Sequence, residues 1–468
     1  MNINLLINII YIISALFFIA GLKMMTSPST ARTGNMISAS GMLIAILISL
    51  LDQGIIDYEW ILLGIFIGSI IGLFASKMVQ MTEIPEMVAI FNGFGGIASL
   101  MVAWAALYPE LTDFNIRNGH LVGSSNTMLM AIIVLSILIG GITFSGSLVA
   151  YGKLSEKIPG NAYLIPGQRI ISSCIVFTLL FVSYRFIFGN ATNSNDFIAV
   201  IVLALMLGII LVIPIGGADM PVVISLLNSC SGLAACSVGF VLNNNLLIVA
   251  GSLVGASGLI LTKIMCKAMN RSLKNVLFSS FGATSQHTRK IEGKVKQVNI
   301  EESYLMLEAA SSVVIVPGYG MAVAQAQHVG QELAVLLETN DCEVNFAIHP
   351  VAGRMPGHMN VLLSEGNVSY DKLVEMDDIN RQMSSIDIAI VIGANDIVNP
   401  AANNDKSSPI YGMPIIKVYE AGVVIILKRS MASGFSGVEN GLFYGENTQM
   451  LFGDAKKSIM DLVAEFKS

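Results

Sequence analysis

Charged side chains are scarce in this sequence. Asp, Glu, Lys and Arg make up only 12% of its 468 residues, whereas hydrophobic residues make up 54%. The mean hydropathy is +0.71, and soluble globular proteins carry roughly 25% charged residues. This shortage excludes a wholly soluble protein and predicts that much of the chain lies in lipid.

Cysteine clusters and blocks of basic residues are also missing. The five cysteines are scattered, without metal-ligand or disulfide spacing, and we interpret them as small core residues. The net charge is −6 and the polar C-terminal part has no basic block, so nothing favours nucleic-acid binding. Charge is concentrated in residues 287–468, which have an ordinary soluble composition. We therefore expect a membrane domain over residues 1–270, a hinge over 271–300 and a soluble domain over 301–468.

Long apolar runs fill the first 270 residues. Runs of about 20 residues, enough to cross a bilayer, fall near 4–23, 35–51, 58–79, 85–107, 126–151, 169–189, 196–214, 219–240 and 245–267. They predict about nine transmembrane helices. The first run lacks a basic leader and more spans follow it, so we predict a retained helix rather than a signal peptide. Most basic residues beside the spans fall on one side of the membrane, and basic residues favour the cytoplasmic side. This places the N-terminus outside and the polar part in the cytoplasm.

Few polar side chains interrupt these spans, and no histidine does. Asn92, Ser147 and Asn228 stand within apolar runs. Polar groups are costly in hydrocarbon, so they tend to face a bundle interior or a water-filled path. Asp219 stands at the predicted cytoplasmic edge, where capping of the helix that begins at Pro221 explains it equally well. A proton path here would use water, amides, hydroxyls or a partner's side chains.

The polar part is organised around a glycine-rich turn. Residues 313–316 form a β-branched run typical of a strand buried on both faces, and Pro317 ends it. Gly318 and Gly320 then suit a tight turn that leaves no side chain between the main chain and a phosphate. A strand, a GxGxxV turn and a helix predict a dinucleotide site. A tight strand-to-helix connection alone explains such turns in about half of cases.

Segments typical of strands and helices alternate from residue 301 onwards. The pattern predicts helices near 301–310, 321–339 and 454–466, and strands near 313–316, 343–348, 386–392, 414–418 and 422–427. Buried β-branched runs alternating with helices favour a parallel, doubly wound sheet. We therefore predict a polytopic α-helical membrane domain followed by a soluble α/β Rossmann-like domain.

The ends of the predicted strands indicate which dinucleotide would bind. An NAD site usually places an acidic residue at the end of its second strand, but here residues 348–350 read Ile-His-Pro. Lys428 and Arg429 follow the last predicted strand, where two cations suit a 2′-phosphate, although such a pair is as often a solvated edge. Arg354 lies in a loop that suits phosphate binding, and residues 393–396 end another strand. Together these features favour NADP.

The same segments resemble a known family over nearly the whole chain. The matching stretches are residues 216–221, 265–271, 317–327, 349–360, 393–396 and 428–431. They are similar to the beta subunit of the proton-translocating nicotinamide nucleotide transhydrogenase. The resemblance implies NADP(H) on this chain, NAD(H) on a partner alpha subunit, and direct, Re/Si-specific hydride transfer that generates NADPH. It also implies inward proton movement across the inner, cytoplasmic membrane and an oligomer with two beta chains.

The resemblance further implies roles for individual residues. The expected NADP-site residues are Gly318, Tyr319, Gly320, Met321, Ala322, Val323, Val351, Ala352, Gly353, Arg354, Met355, Pro356, Gly357, Gly393, Ala394, Asn395, Asp396, Ile397, Gly412, Met413, Lys428, Arg429, Ser430, Met431, Phe435, Asp454 and Ala455. The expected proton path contains Asn92, Ser147, Asp219 and Asn228. No residue is assigned a catalytic role, and no metal is expected.

Two positions depart from the family pattern. Asn92 stands where many members carry a titratable histidine, and Phe435 replaces a tyrosine of a lid-like loop. An amide still orders a water chain and a phenyl ring still covers a nucleotide, so we expect activity to survive both changes.

Two hypotheses concern the whole chain. Asp219 and Arg271 both fall at the predicted cytoplasmic edge, where an ion pair would form and break as the hinge moves. Helix capping by Asp219 and the positive-inside bias at Arg271 explain them equally well. The alternative to a proton-pumping enzyme is a transporter or channel with an NADP-sensing domain. A sensor needs no second dinucleotide, so a neighbouring gene for an NAD-binding partner would separate the two.

Overall fold

The computed structural model describes most of the chain. The described residues are 3–25, 27–51, 58–116, 127–159, 163, 167–189, 194–216, 219–270, 272–278, 293–355, 357–406, 408, 410–432 and 438–467. They form two compact units, Met1–Thr262 and Lys263–Ser468. Three residues with expected roles, Arg271, Pro356 and Phe435, lie outside the described residues.

The first unit is built from long apolar helices, the last of which continues from Thr262 into the second unit. In chain order they are α1 (Ile3–Met24), α2 (Pro28–Leu51), α3 (Tyr58–Met78), α4 (Ile84–Ile116), α5 (Thr127–Leu154), α6 (Gln168–Phe188), α7 (Ser194–Val212), α8 (Met220–Val241) and α9 (Asn245–Ala268). Within the described part of the chain, nine helices are long and apolar enough to cross a membrane. The prediction of a polytopic α-helical membrane part is therefore confirmed.

Two of these helices extend beyond the predicted apolar runs. Helix α2 begins at Pro28 rather than near residue 35, and α4 continues to Ile116 rather than ending near residue 107. Proline suits the first turn of a helix because its missing N–H has no intrahelical partner there. Hydropathy marks the part of a helix that suits lipid, whereas backbone hydrogen bonds decide where the helix ends.

Close backbone contacts bring α4 and α5 together. A Cβ atom built on Gly96 would lie 2.6 Å from the carbonyl oxygen of Gly140, a distance that real Cβ atoms do not reach. Small residues allow such an approach between membrane helices. Beside this contact, Leu100, Ile137 and Phe197 belong to a buried apolar cluster that joins α4, α5 and α7.

The second unit contains a six-stranded parallel sheet. Its strands are β1 (Ser312–Pro317), β2 (Glu343–Ile348), β3 (Leu373–Glu375), β4 (Ile388–Ile392), β5 (Val423–Lys428) and β6 (Thr448–Phe452). The strand order is β3-β2-β1-β4-β5-β6, and every neighbouring pair is parallel. This order confirms the Rossmann-like prediction. The strand order reverses between β1 and β4, where the carboxyl ends of open sheets bind ligands.

Short helices connect and cover these strands. They are α10 (Leu273–Phe278), α11 (Ile300–Glu308), α12 (Tyr319–Val323), α13 (Gln327–Thr339), α14 (His358–Glu365), α15 (Met376–Gln382), α16 (Ala401–Asn404) and α17 (Ala455–Lys467). Helix α10 lies inside the stretch predicted as a polar hinge. The single helix predicted over 321–339 is two helices, because the backbone turns at Gln325, where φ is 49°.

One predicted strand is wrong and two strands were not predicted. Residues 414–418 do not join the sheet, although Ile415 and Ile416 are buried. The N–H of Ile416 donates to the carbonyl of Ile397 at 2.9 Å, outside any strand ladder. An apolar β-branched run is equally suited to a buried extended connection. Strands β3 and β6 were not predicted. Since β6 follows β5 in the chain, β5 is not the last strand of the sheet.

Candidate functional site

The two turns at the strand-order reversal touch through backbone atoms. The N–H of Gly318 donates to Ile392 O, and the N–H of Gly320 donates to Gly393 O, each at 2.9 Å. A Cβ atom on Gly318 would lie 2.4 Å from Gly393 O. Gly393 itself has a φ of +62°, which favours glycine. The contact between the turns after β1 and β4 therefore requires glycine on both sides.

The helix after the first turn is short. Helix α12 contains only five residues, with Gly318 at its N-cap position. A full helix dipole builds up over several turns, so this helix offers an anion little beyond its own first backbone amides. Side chains would therefore have to supply most of the binding of any anion at this edge.

An arginine and a histidine pack on the tyrosine of the turn. The guanidinium carbon of Arg354 lies 4.5 Å from the centroid of the Tyr319 ring. The His358 ring meets the same tyrosine edge to face, with centroids 5.8 Å apart. The N–H of Arg354 donates to His358 Nδ1 at 3.0 Å. The loop after β2 and the turn after β1 are thereby joined around three side chains.

A second histidine holds the start of the same loop. His349 Nδ1 accepts from the N–H of Val351 at 3.2 Å, and its Nε2 lies 2.8 Å from Pro414 O. Since Nδ1 accepts, Nε2 carries the hydrogen and donates to this carbonyl. Burial lowers the pKa of His349 from 6.5 to about 4, against a smaller opposing effect of the bond to Pro414. The imidazole is therefore neutral near pH 7.

His358 is neutral for a related reason. It is 1% exposed, and burial, together with the nearby positive charge of Arg354, lowers its pKa from 6.5 to about 4. Sequence reasoning assigned neither His349 nor His358 to the site. Their positions before Pro350 and after Gly357, at the two ends of one loop, were the signal that pointed to a structural role.

Two cations stand at the end of β5. Lys428 Nζ lies 4.4 Å from the centroid of the Phe443 ring and donates to Ala432 O. Burial lowers the pKa of Lys428, and the Asp396 carboxylate acts in the opposite direction. Arg429 pairs with Asp454 at 2.7 Å, and this bond holds the pKa of Asp454 below its usual range.

Most of the expected nucleotide residues follow strand ends. Residues 318–323 follow β1, 351–357 follow β2, 393–397 follow β4, 428–431 end or follow β5, and 454–455 follow β6. In a parallel sheet these ends share one edge. Gly412 and Met413 differ, because they lie in the connection between α16 and β5. The Gly412 N–H donates to Ala402 O at 2.7 Å, and the φ of Gly412 is +79°.

Three of the four expected proton-path residues lie on helices that pack together. Asn92 in α4 donates from Nδ2 to Ile224 O in α8 at 3.3 Å, and Asn92 is 6% exposed. Ser147 in α5 is fully buried beside Gly93, and its hydroxyl has no hydrogen-bond partner among the described residues. Asn228 in α8 is half-buried, and its backbone carbonyl oxygen accepts from Ser231 Oγ. Helices α4, α5 and α8 contact one another.

The fourth residue, Asp219, stands at the start of α8. It occupies the N-cap position, with Pro221 in the first turn, but its side chain makes no capping hydrogen bond. Nearby, the buried Lys153 donates from Nζ to Ile213 O at 2.5 Å and to Ile215 O at 2.7 Å. The burial of Lys153 leaves no local sequence signal, because it depends on the end of α7.

The whole chain matches one family. The family model described as NAD(P) transhydrogenase beta subunit matches residues 7–465. The chain belongs to this family. Two sequences of NAD(P) transhydrogenase subunit beta from Rhodospirillum rubrum, one of them from a named strain, are each 48% identical to it over 459 residues. Each match covers 97% of this chain and 97% of the relative.

Family membership confirms the resemblance seen in the sequence and gives the chain its chemical class. The NAD(P) transhydrogenase family is an oxidoreductase family that uses nicotinamide nucleotides, and a beta subunit implies an alpha subunit partner. The nine apolar helices agree with a multi-pass membrane protein. The alternative of a transporter or channel with a sensing domain is not favoured.

Proposed function

We propose that this chain is the NADP(H)-binding and proton-conducting beta subunit of a proton-translocating transhydrogenase. A hydride passes directly from NADH on the alpha subunit to NADP⁺ on this chain, which yields NAD⁺ and NADPH. Protons move inward across the inner, cytoplasmic membrane as this occurs. We assign proton movement to residues 1–270, nucleotide binding to residues 301–468 in the cytoplasm, and the connection between them to residues 271–300.

The choice of NADP rests on the charges at the carboxyl edge of the sheet. Lys428 and Arg429 stand at the end of β5, and Arg354 stands in the loop after β2. Guanidinium and ammonium groups bind a phosphate dianion through charge-assisted hydrogen bonds. Arg429 is exposed in its pair with Asp454, and an exposed pair of this kind is weak. A 2′-phosphate can therefore compete for this guanidinium.

The end of β2 supports the same choice. An NAD site places a carboxylate there to accept from the ribose 2′-hydroxyl. In this chain the position after Ile348 holds His349, whose two ring nitrogens are both bonded to backbone groups. A neutral, buried imidazole with no free nitrogen offers the 2′-hydroxyl no acceptor, so this edge does not favour NAD.

Proton movement rests on the polar groups of α4, α5 and α8. Asn92, Ser147 and Asn228 bring amides and a hydroxyl into an apolar helix group, where polar atoms order water. The amide of Asn92 has no accessible pKa, so this residue acts by hydrogen bonding rather than by taking up a proton. Asp219 supplies a carboxylate at the end of this helix group.

Replacement of both cations by alanine tests the nucleotide assignment. Charge-assisted hydrogen bonds contribute about 1.5 to 3 kcal/mol each, so Lys428→Ala with Arg429→Ala should weaken NADPH binding more than tenfold and leave NADH binding nearly unchanged. The matched control is Arg381→Ala with Lys467→Ala, which removes the same two residue types from the surface ion pairs with Asp378 and Glu332. NADPH binding to the purified chain is measured by titration.

The purified complex with its alpha subunit then tests the reaction. NADH-dependent reduction of an NADP analogue is followed in membrane vesicles together with proton uptake. We expect both signals in the native complex and in the control variant, and loss of both in the double variant at low nucleotide concentration. An unmodified chain that bound NADH as tightly as NADPH would refute the assignment. NADPH binding without any hydride transfer would instead favour a transporter or channel with an NADP-sensing domain.

A further inference from the structure

Two buried asparagines cross-link the same pair of segments in the nucleotide unit. Asn440 is 2% exposed and Asn399 is fully buried. Each side-chain oxygen accepts from a backbone N–H two residues later, at 2.9 Å for Asn440 with Leu442 and 3.0 Å for Asn399 with Ala401. The Nδ2 of Asn399 donates to Glu439 O at 3.1 Å. The turn after β4 is thereby held against residues 438–442, which follow β5.

The Nδ2 group of Asn440 reaches further into the candidate site. It donates to Asn395 O at 3.0 Å and to Asn395 Oδ1 at 3.2 Å. Because Asn395 Oδ1 accepts, the amide nitrogen of Asn395 points the other way. This nitrogen donates to Asp396 Oδ1 at 3.3 Å. The hydrogen bonds thus run in one direction, from Asn440 through Asn395 to the Asp396 carboxylate.

The end of this chain of bonds is electrostatically important. Asp396 follows β4 at the carboxyl edge of the sheet, and its charge acts on the ammonium group of Lys428 at the end of β5. Movement of the Asp396 carboxylate would change the electrostatic field at Lys428, a cation that we assign to nucleotide binding. Asn399 contacts the same two segments, but its side chain reaches Glu439 and Ala401 rather than the amide of Asn395.

We propose that Asn440 is a positioning residue for NADP(H) binding, which holds Asn395 and, through it, the Asp396 carboxylate beside Lys428. The inference rests on the proposed function, since it deepens the assignment of NADP(H) to this edge. Asn399 is the matched residue with a structural role only. The two asparagines have the same side chain, similar burial and the same acceptor geometry, and they differ in what their amide nitrogens contact.

Aspartate substitutions separate the two roles. Asn440→Asp and Asn399→Asp each keep the accepting oxygen, lose the donating nitrogen and place one charge in a buried position. NADPH and NADH are titrated against the purified full-length chain across pH 5.5 to 8.5. We expect Asn440→Asp to weaken NADPH binding about tenfold more than Asn399→Asp at pH 7 and to reduce the preference for NADPH over NADH, which Asn399→Asp should keep. In Asn440→Asp a carboxylate faces the two oxygens of Asn395 that Asn440 holds in the native chain, so Asn395 and its bond to Asp396 are displaced. Asn399→Asp leaves these bonds in place.

Alanine variants keep the test decisive if a buried charge prevents folding. Asn440→Ala should reproduce the Asn440→Asp effect, and Asn395→Ala, which interrupts the same chain of bonds at a half-buried residue, should do so as well. Equal weakening of NADPH binding in the Asn440 and Asn399 variants would overturn the inference, as would native affinity in Asn440→Ala and Asn395→Ala. An unmodified chain that did not prefer NADPH over NADH would instead refute the proposed function.

Discussion

At the scale of single residues, two neutral histidines shape the loop after β2. Each presents Nδ1 to a backbone N–H, that of Val351 for His349 and that of Arg354 for His358. A protonated imidazole has no acceptor, so both bonds exist only in the neutral form. The low pKa of each ring, about 4, is thus a condition for the loop conformation that carries Arg354.

The low pKa of His358 predicts how stability depends on pH. In the unfolded chain this ring takes up a proton near pH 6.5, whereas in the folded chain it does so near pH 4. Stability is therefore fully present above pH 6.5, falls as the pH decreases towards 4, and levels off below it. The difference corresponds to roughly 3 kcal/mol. Hydrogen exchange of the strand amides in the full-length chain measures this loss.

Two substitutions at His358 check the cause. In Asn the side-chain oxygen takes a place close to that of Nδ1, so His358→Asn should keep the bond to Arg354, retain NADPH affinity and reduce the loss of stability between pH 6.5 and 4. His358→Leu should lose the bond and weaken NADPH binding several-fold, since the loss of a buried acceptor leaves the Arg354 N–H unpaired. An unchanged pH dependence in His358→Asn would contradict this account.

At the scale of elements, glycine decides how closely the membrane helices approach. Gly96 in α4 contacts Gly140 in α5, so a methyl group has no room there. By contrast, a Cβ on Gly64, Gly68 or Gly72 of α3 meets no atom of the described residues within 4 Å. Sequence spacing alone does not distinguish these two groups of glycines. Only the structure separates contacts from open positions.

Alanine substitution should destabilise the protein at Gly96 but not at Gly68. Gly96→Ala forces α4 away from α5 and should cost about 1 to 3 kcal/mol, with loss of proton-coupled turnover because Asn92 lies one turn away on α4. Gly68→Ala is the control, and it should be neutral or slightly stabilising, because alanine favours a helix by up to about 1 kcal/mol over glycine. Thermal unfolding in detergent and proton uptake in vesicles measure both effects. Equal behaviour of the two variants would show that the α4–α5 contact is unimportant.

At the scale of the whole molecule, a pump must link nucleotide state to proton movement through an element with two states. Asp219 and Arg271 remain our hypothesis for this element. Among the described residues, Asp219 occupies an N-cap position at which its side chain accepts no capping hydrogen bond, so a cap of this kind does not explain it there. Arg271 lies outside the described residues, and its part in the pair stays a prediction.

Charge reversal tests that pair. Asp219→Arg and Arg271→Asp should each separate hydride transfer from proton movement, and the double variant should recover part of the coupling if the residues interact. The control is the charge reversal Asp196→Arg, at a residue that pairs with Arg185 at 3.2 Å. This substitution should leave the coupling of hydride transfer to proton movement intact. The ratio of protons taken up to hydrides transferred is measured in vesicles. Strictly additive losses, with NADPH affinity unchanged, would remove the pair from the mechanism.

Much of this architecture was predictable from the sequence because it depends on local properties. Each membrane span is decided by its own hydrophobicity, and each long buried strand by its own β-branched run. The glycine turn at 318–320 and the cations at 428–429 are likewise contiguous in the chain. Family resemblance added the partner and the cofactors. For these reasons the membrane helices and the parallel sheet were predictable from the sequence, and the edge for the nucleotide stays a prediction.

Tertiary structure decided which distant groups meet, because a hydrogen bond between remote residues leaves no local pattern. Residues 414–418 are as apolar as a strand, yet the N–H of Ile416 donates to Ile397 O and that of Lys417 to Asn380 Oδ1 rather than to a ladder. His349 donates to Pro414, and Asn440 donates to Asn395 across 45 positions of the chain. Burial makes such partners obligatory, since an unpaired polar group inside a protein is costly. The sequence by itself determined the membrane helices and the long buried strands, and only the folded chain determined the remaining strands and the polar contacts that shape the site.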